Sequence, residues 1–142
     1  MKFPFLIICL IIYSFNCFGN DNIIMERINN FKNTEKSLKK ITKFAKINKF
    51  DKVIIEAQLI QKWFVKIPSF FPKGSQASMS NNSDASSDIW VNFTDFIKRA
   101  EATERASFEL INSASKKNLN NIKISFKKLM DSCNSCHRSY RN

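Results

Sequence analysis

"DSCNSCHRSYRN", residues 131–142, closes the chain. Two of the protein's four cysteines stand here three residues apart, and its single histidine follows at once. At about 100° per residue, Cys133, Cys136 and His137 fall within roughly a 100° arc of one helix face. They also extend a stripe that runs through Leu119, Ile122, Phe126 and Leu129 and ends at Tyr140. Steps of three and four predict a helix whose striped face meets a core. Two thiols and one imidazole thus lie on the inner face of a final helix.

Outward from that helix the same period recurs. A first run holds Ile24, Ile28, Phe31, Leu38, Ile41 and Ala45. A second holds Val53, Ile54, Ala57, Ile60, Phe64 and Ile67, with Asp51 as its expected N-cap and Pro68 as its stop. Residues 68–87, PSFFPKGSQASMSNNSDASS, combine proline, glycine, serine and asparagine and predict a long loop. Ser86 or Ser87 then caps a third helix carrying Ile89, Trp90, Phe93, Phe96, Ala100, Leu110 and Ala114. A polar break at Ser115–Asn118 leads into the fourth. No stretch alternates polar and apolar residues for long, so sheet is not expected. The expected architecture is all-α, an antiparallel four-helix bundle in one domain.

The other end reads MKFPFLIICLIIYSFNCFGND. Lys2 precedes an apolar run from Phe3 to Phe15, and small Cys17 and Gly19 precede polar Asn20. That is the layout of a secretory signal peptide, cleaved after Gly19. The run is shorter than the roughly 20 residues a membrane span needs, and Pro4 interrupts it. A lipoprotein signal at Cys17 is a poorer fit, because Ser14-Phe15-Asn16 is a weak lipidation context. Residues 1–19 are therefore expected to leave and residues 20–142 to remain, with only Cys133 and Cys136 as cysteines. The expected location is the periplasm. The formal charge of +11 comes with a lysine- and asparagine-rich composition and no arginine-rich cluster. Neither nucleic acid nor an integral membrane segment is expected.

C-x-x-C-H is the attachment signature of a c-type haem. Thiols at this spacing reach two vinyl groups on one porphyrin edge and form thioethers, and the adjacent imidazole ligates the iron through Nε2. Other readings are poorer. A structural zinc site takes four ligands, and residues 20–142 offer three Cys or His. A thioredoxin-like pair needs a βαβ setting and opens a helix, whereas this pair nears the end of one. A plain disulfide leaves His137 without a role. One covalent haem c per chain, with His137 as its metal ligand, is the expected cofactor.

C-x-x-C-H near the C-terminus, then Tyr140-Arg141, resembles the class II c-type cytochromes, the cytochrome c′ family. "FFPKGS" (70–75) is similar to that family's Phe-Pro-x-Gly-Ser turn, and "DIWVNFTDF" (88–96) to the start of its third helix. "RINNFK" (27–32) resembles the family's first-helix segment, in which an arginine precedes the haem-facing residue by four. The resemblance spans nearly all of residues 20–142. It implies a haem held between the helices of a four-helix bundle, and two copies that pair through the first two helices.

By the same resemblance, a methionine at the haem-facing position makes a six-coordinate carrier. An apolar residue there leaves a five-coordinate iron open to nitric oxide or carbon monoxide. The matching residue is Phe31, which has no donor atom. Arg27, about 40° from it around the helix, corresponds to the residue that pairs with a haem propionate. Arg141 corresponds to the basic residue beside the proximal imidazole. Met25 lies about 120° from Phe31 and is expected to pack in the core or at the helix end. The function this implies is electron transfer with redox partner proteins, the lysines steering acidic faces. Diatomic gas binding, for scavenging or sensing, is the alternative. An enzyme is not expected: there is no spare histidine for distal acid–base chemistry and no paired-carboxylate or nucleophile motif.

Overall fold

The computed structural model describes residues 15–142. The expected export segment therefore lies outside the described residues, except for the last few before Gly19. Among the described residues there are five α-helices: α1 Phe15–Lys46, α2 Phe50–Lys66, α3 Asp88–Val91, α4 Phe93–Ser115 and α5 Leu119–Tyr140. The four long ones form the expected all-α bundle. α1 packs on α2, α2 on α4, and α4 on α5. The ring of four stays open between α1 and α5, which hardly touch.

The apolar spacing sets the buried face of each helix. On α2, Val53, Ala57, Ile60 and Phe64 are all buried. Opposite them lie Phe96, Ala100, Leu110 and Ala114 of α4, and Ile122 and Leu129 of α5. Glu56 is also buried on α2, where Ser37 donates to it at 2.8 Å and Lys40 at 3.0 Å. A carboxylate removed from water needs such partners.

The turns show how the ends are made. Asn48 (φ 54) and Lys117 (φ 52) take left-handed conformations after α1 and α4. This lets Lys49 N–H reach the Phe44 carbonyl at 3.0 Å, and Lys117 N–H the Ala114 carbonyl at 2.9 Å. Asn118 then caps α5, its side-chain oxygen accepting from the Asn121 N–H at 3.0 Å. Replacing Asn118 with alanine orphans that N–H and is expected to cost about 1 kcal/mol. A urea midpoint that falls at unchanged slope would register the loss.

Two boundaries differ from expectation. α2 begins at Phe50, so Asp51 sits in its first turn and no side chain caps it. There its charge still suits the positive helix end. The third helix is broken at Asn92 (φ −118, ψ 42) into α3 and α4. Trp90 explains the break, because its Nε1 donates to the carbonyls of Phe71 and Pro72 at 3.0 and 3.1 Å. The cap position of α3 is Ser87, whose side chain makes no cap bond, while Ser86 one residue earlier accepts from the Asp88 N–H at 3.2 Å. In the loop, Pro68 lies in a 3-10 turn, Ile67–Phe70, that extends α2. Gly74 (φ 85) then allows Ser75 N–H to bond the Pro72 carbonyl at 3.3 Å. Among the described residues, no helix is long and apolar enough to cross a membrane.

Candidate functional site

The gap between α1 and α5 is a cavity of about 660 Å³. Cys133, Cys136, His137 and Arg141 line it from the end of α5 and the residue beyond, and Arg27 and Phe31 line it from α1. The structure thus brings the six residues singled out in the sequence to one site. Three of its other walls were not foreseen: Phe64 on α2, Met130 on α5, and Asn82–Ala85 of the long loop.

α5 holds its two thiols half-buried and unpaired. Burial pushes both up to about 11, since a thiolate would lose its hydration there. His137 is shifted the other way. Desolvation first, and the charge of Arg141 second, lower its pKa and favour the neutral ring. The end of α5 is pinned from α4. Arg99 donates to Ser135 Oγ at 2.7 Å and to the Ser135 carbonyl at 3.2 Å, and pairs with Asp95 at 2.6 Å. Tyr140 completes the group with a 2.7 Å bond to Asp95. Burial and the neighbouring carboxylate push its phenol up to about 12.

Across the cavity, Phe31 is held by edge-on contacts to Trp63 at 5.6 Å and Phe64 at 6.5 Å. Such contacts fix a ring more firmly than area alone. Arg27 is 2% exposed. Its guanidinium donates to Ser75 Oγ at 2.7 Å, Ser83 Oγ at 2.5 Å, the Phe70 carbonyl at 3.3 Å and the Ser75 carbonyl. It also lies 4.5 Å over the Phe71 ring. Every one of these partners is neutral. Burial without a counter-charge lowers the Arg27 pKa to about 10.

The C-terminus is stitched to the same loop. Ser86 N–H bonds the Tyr140 carbonyl at 3.0 Å, and Asn142 N–H the Asp84 carbonyl at 2.9 Å. Arg141 pairs with Asp84 at 2.8 Å. Arg27 and Arg141 are therefore both struts of the loop wall, a role the sequence did not reveal. The partners of Arg27, Ser75 and Ser83, are 48 and 56 residues away, and no local pattern links them. The Pro72–Ser75 turn was the one visible sign that the loop is ordered.

Met25 departs from expectation. It is 63% exposed, and so packs neither in the core nor in the cavity. Its position, about 120° from Phe31, turns it to solvent on a helix whose inner face is already full. Met79 is fully exposed in the loop, and Met130 belongs to the same side as the cysteines. Neither a methionine nor a histidine reaches the cavity from α1.

The chemistry of this set fits a porphyrin better than a chelated ion. Among the described residues, no three His, Cys, Asp or Glu side chains gather around a metal position. The two thiols lie one turn apart along a wall that is mostly apolar. The volume falls within the roughly 300–1,000 Å³ of cofactor sites, and buried Arg27 lines one edge.

A four-helix bundle that opens between its first and last helix, over a C-x-x-C-H segment, defines a haem-holding bundle. Residues 22–141 match the family described as Cytochrome C′, and the chain belongs to it. Its cofactor is haem c, with iron. It is 31% identical over 74 residues to cytochrome c-554 of Cereibacter sphaeroides, a stretch covering 52% of this chain and 48% of that protein. The chain thus spans about half the length of this curated relative. Solved structures agree in fold. The cytochrome c′ of Thermochromatium tepidum gives a TM-score of 0.76 at 19% identity, over 86% of this chain and 95% of that one. A cytochrome c′ with a ligand-controlled dimer dissociation gives 0.79 at 18%, with the same coverage. A nitric oxide complex of a cytochrome c prime variant from Alcaligenes xylosoxidans gives 0.75 at 17%, over 87% and 95%.

Proposed function

We propose that residues 20–142 form a periplasmic monohaem electron carrier, freed from an export signal at 1–19. One observation carries the reading: both thiols, the imidazole and Phe31 line a single cavity that reaches the surface. Cys133 and Cys136 would attach the porphyrin, and His137 would be the iron's protein ligand. Haem c bound there supplies a reversible one-electron couple of its iron. The protein's own side chains do the rest. His137, kept neutral by burial and by Arg141, offers a ring nitrogen with its lone pair free. Phe31 fills the opposite side with a ring that Trp63 and Phe64 hold in place. Arg27 presents a buried positive charge suited to a propionate. Pairing of two copies through α1 and α2 belongs to the same reading, and Ile55 and Leu59 of α2 are exposed one turn apart.

A second reading, capture of nitric oxide or carbon monoxide, is favoured by Phe31 itself. An apolar ring where a donor could stand offers no protein ligand from α1 and would leave room for a diatomic gas. Among the related structures one is a nitric oxide complex and another a carbon monoxide-bound variant. Stopped-flow mixing separates the two. A carrier exchanges electrons rapidly with small redox proteins, whereas slow exchange combined with rapid nitric oxide uptake by the reduced form would replace the first reading with the second. Phe31→Met places a thioether at the same position. Its ferric absorption spectrum is expected to change from high-spin to low-spin, with carbon monoxide binding greatly weakened. An unchanged spectrum would remove Phe31 from the cofactor's far side.

A further inference from the structure

The bundle has two ends, and the cavity occupies one. Phe71, just beyond α2, meets Phe96 near the start of α4 with ring centroids 4.7 Å apart. Further along, Gln61 bonds Glu104 at 3.5 Å. α2 and α4 are therefore antiparallel, and the turn that opens α2 lies beside the turn that closes α4. Residues 47–49 and 116–118 together make the opposite tip. Lys46 is 15 residues beyond Phe31 on α1, about 22 Å along the helix.

Charge at this tip is one-sided. Over residues 43–52, Lys43, Lys46, Lys49 and Lys52 stand against Asp51 alone. Over residues 112–125, Lys116, Lys117 and Lys123 stand against no acid. All seven are exposed, and among the described residues none joins an ion pair. At the cavity end charges of both signs meet: Arg141 pairs with Asp84 and Arg99 with Asp95, beside Asp88 and Lys73. A lysine-rich composition explains lysines everywhere. It does not explain why acids avoid one end.

Apolar side chains stand among these charges. Ile47 is 52% exposed and Leu119 36%. Lys117 holds a left-handed backbone position that glycine would occupy with less strain. The tip thus keeps a charge where the backbone alone would not favour one.

We propose that this tip docks the protein on an anionic phospholipid surface. The ammonium groups meet headgroup phosphates, and Ile47 and Leu119 dip into the boundary between headgroups and acyl chains. Docked so, the cavity end faces away from the bilayer and stays open to partners. An acidic protein is a poorer occupant. Two short convex turns offer little of the roughly 800 Å² per side of a stable protein interface. A redox partner seated there would also be about 22 Å from Phe31 along α1, and electron tunnelling falls exponentially with distance.

The test uses the purified, haem-loaded protein and does not depend on the electron-transfer reading. Sedimentation with phosphatidylcholine vesicles is expected to leave it in solution, and added phosphatidylglycerol to pellet it in a manner that salt reverses. Changing Lys46, Lys49 and Lys117 together to glutamine is expected to lower the partition constant about a hundredfold. Ile47→Ser is expected to weaken it severalfold without altering its salt dependence. Changing Lys62, Lys66 and Lys98 to glutamine removes equal charge elsewhere and is expected to change little. Three outcomes would overturn the proposal: no pelleting on anionic vesicles, an equal loss in the control triple, or tighter binding of polyglutamate than of vesicles.

Discussion

Changing Cys133 and Cys136 together to serine is expected to abolish covalent pigment completely. In a host able to mature c-type cytochromes, the unaltered chain should keep its colour in the protein fraction after extraction with acidified acetone. The double variant should release whatever haem it holds. The expectation rests on placement. Both thiols are free, half-buried and one turn apart on a cavity wall. Burial raises both thiols to about 11, so neither is set up as a reactive thiolate. Each single serine variant retains one attachment point and is expected to keep pigment at reduced yield. A disulfide or an idle thiol pair predicts no change of colour in any of the three. Pigment that stays with the double-serine protein after extraction would end the assignment.

The fold was largely visible in the spacing of isoleucine, leucine and phenylalanine, since a bundle helix buries one stripe and shows it at steps of three and four. Leu110, Ile122 and Leu129 all proved fully buried for that reason. What stayed hidden depends on contacts between distant residues. The break at Asn92 lies inside an unbroken helical period, and its cause is an indole bonding carbonyls 18 and 19 residues back. The start of α2 was misplaced because Asp51 has the chemistry of a cap, yet the left-handed turn at Asn48 sets the helix boundary without one.

At the site, the C-x-x-C-H residues needed only local spacing to be found, whereas Phe31 came from the resemblance of residues 27–32 to the family's first-helix segment. The loop wall did not declare itself. Asp84, Ser75 and Ser83 are ordinary loop residues until Arg141 and Arg27 are placed against them. Met25 shows the opposite error. It was expected to pack in the core or at the helix end, but its angle on α1 turns it to water.

Replacing Arg27 with methionine carries the second large effect, and its size should depend on the cofactor. In the haem-free chain the loss is that of a loop strut. Four hydrogen bonds disappear, and the carbonyls of Phe70 and Ser75 and the hydroxyls of Ser75 and Ser83 lose a cationic donor. Bonds to a charged group contribute about 1.5–3 kcal/mol each, not additively. A total near 3 kcal/mol is expected, read as a lower urea midpoint. The buried guanidinium also has no acid beside it, and its lowered pKa of about 10 records how strongly burial opposes its charge. A protein seldom keeps an unpaired cation at 2% exposure. If a haem carboxylate supplies the missing counter-charge, the methionine variant must lose that pairing as well, leaving the carboxylate without its cation. Its cost should then be larger in the haem-loaded protein than in the haem-free one by about 1–3 kcal/mol, the worth of a partly buried pair. Arg27→Lys keeps the charge but not the planar fork, and should fall between. Equal costs in the two forms would make Arg27 a strut of residues 70–83 and nothing more.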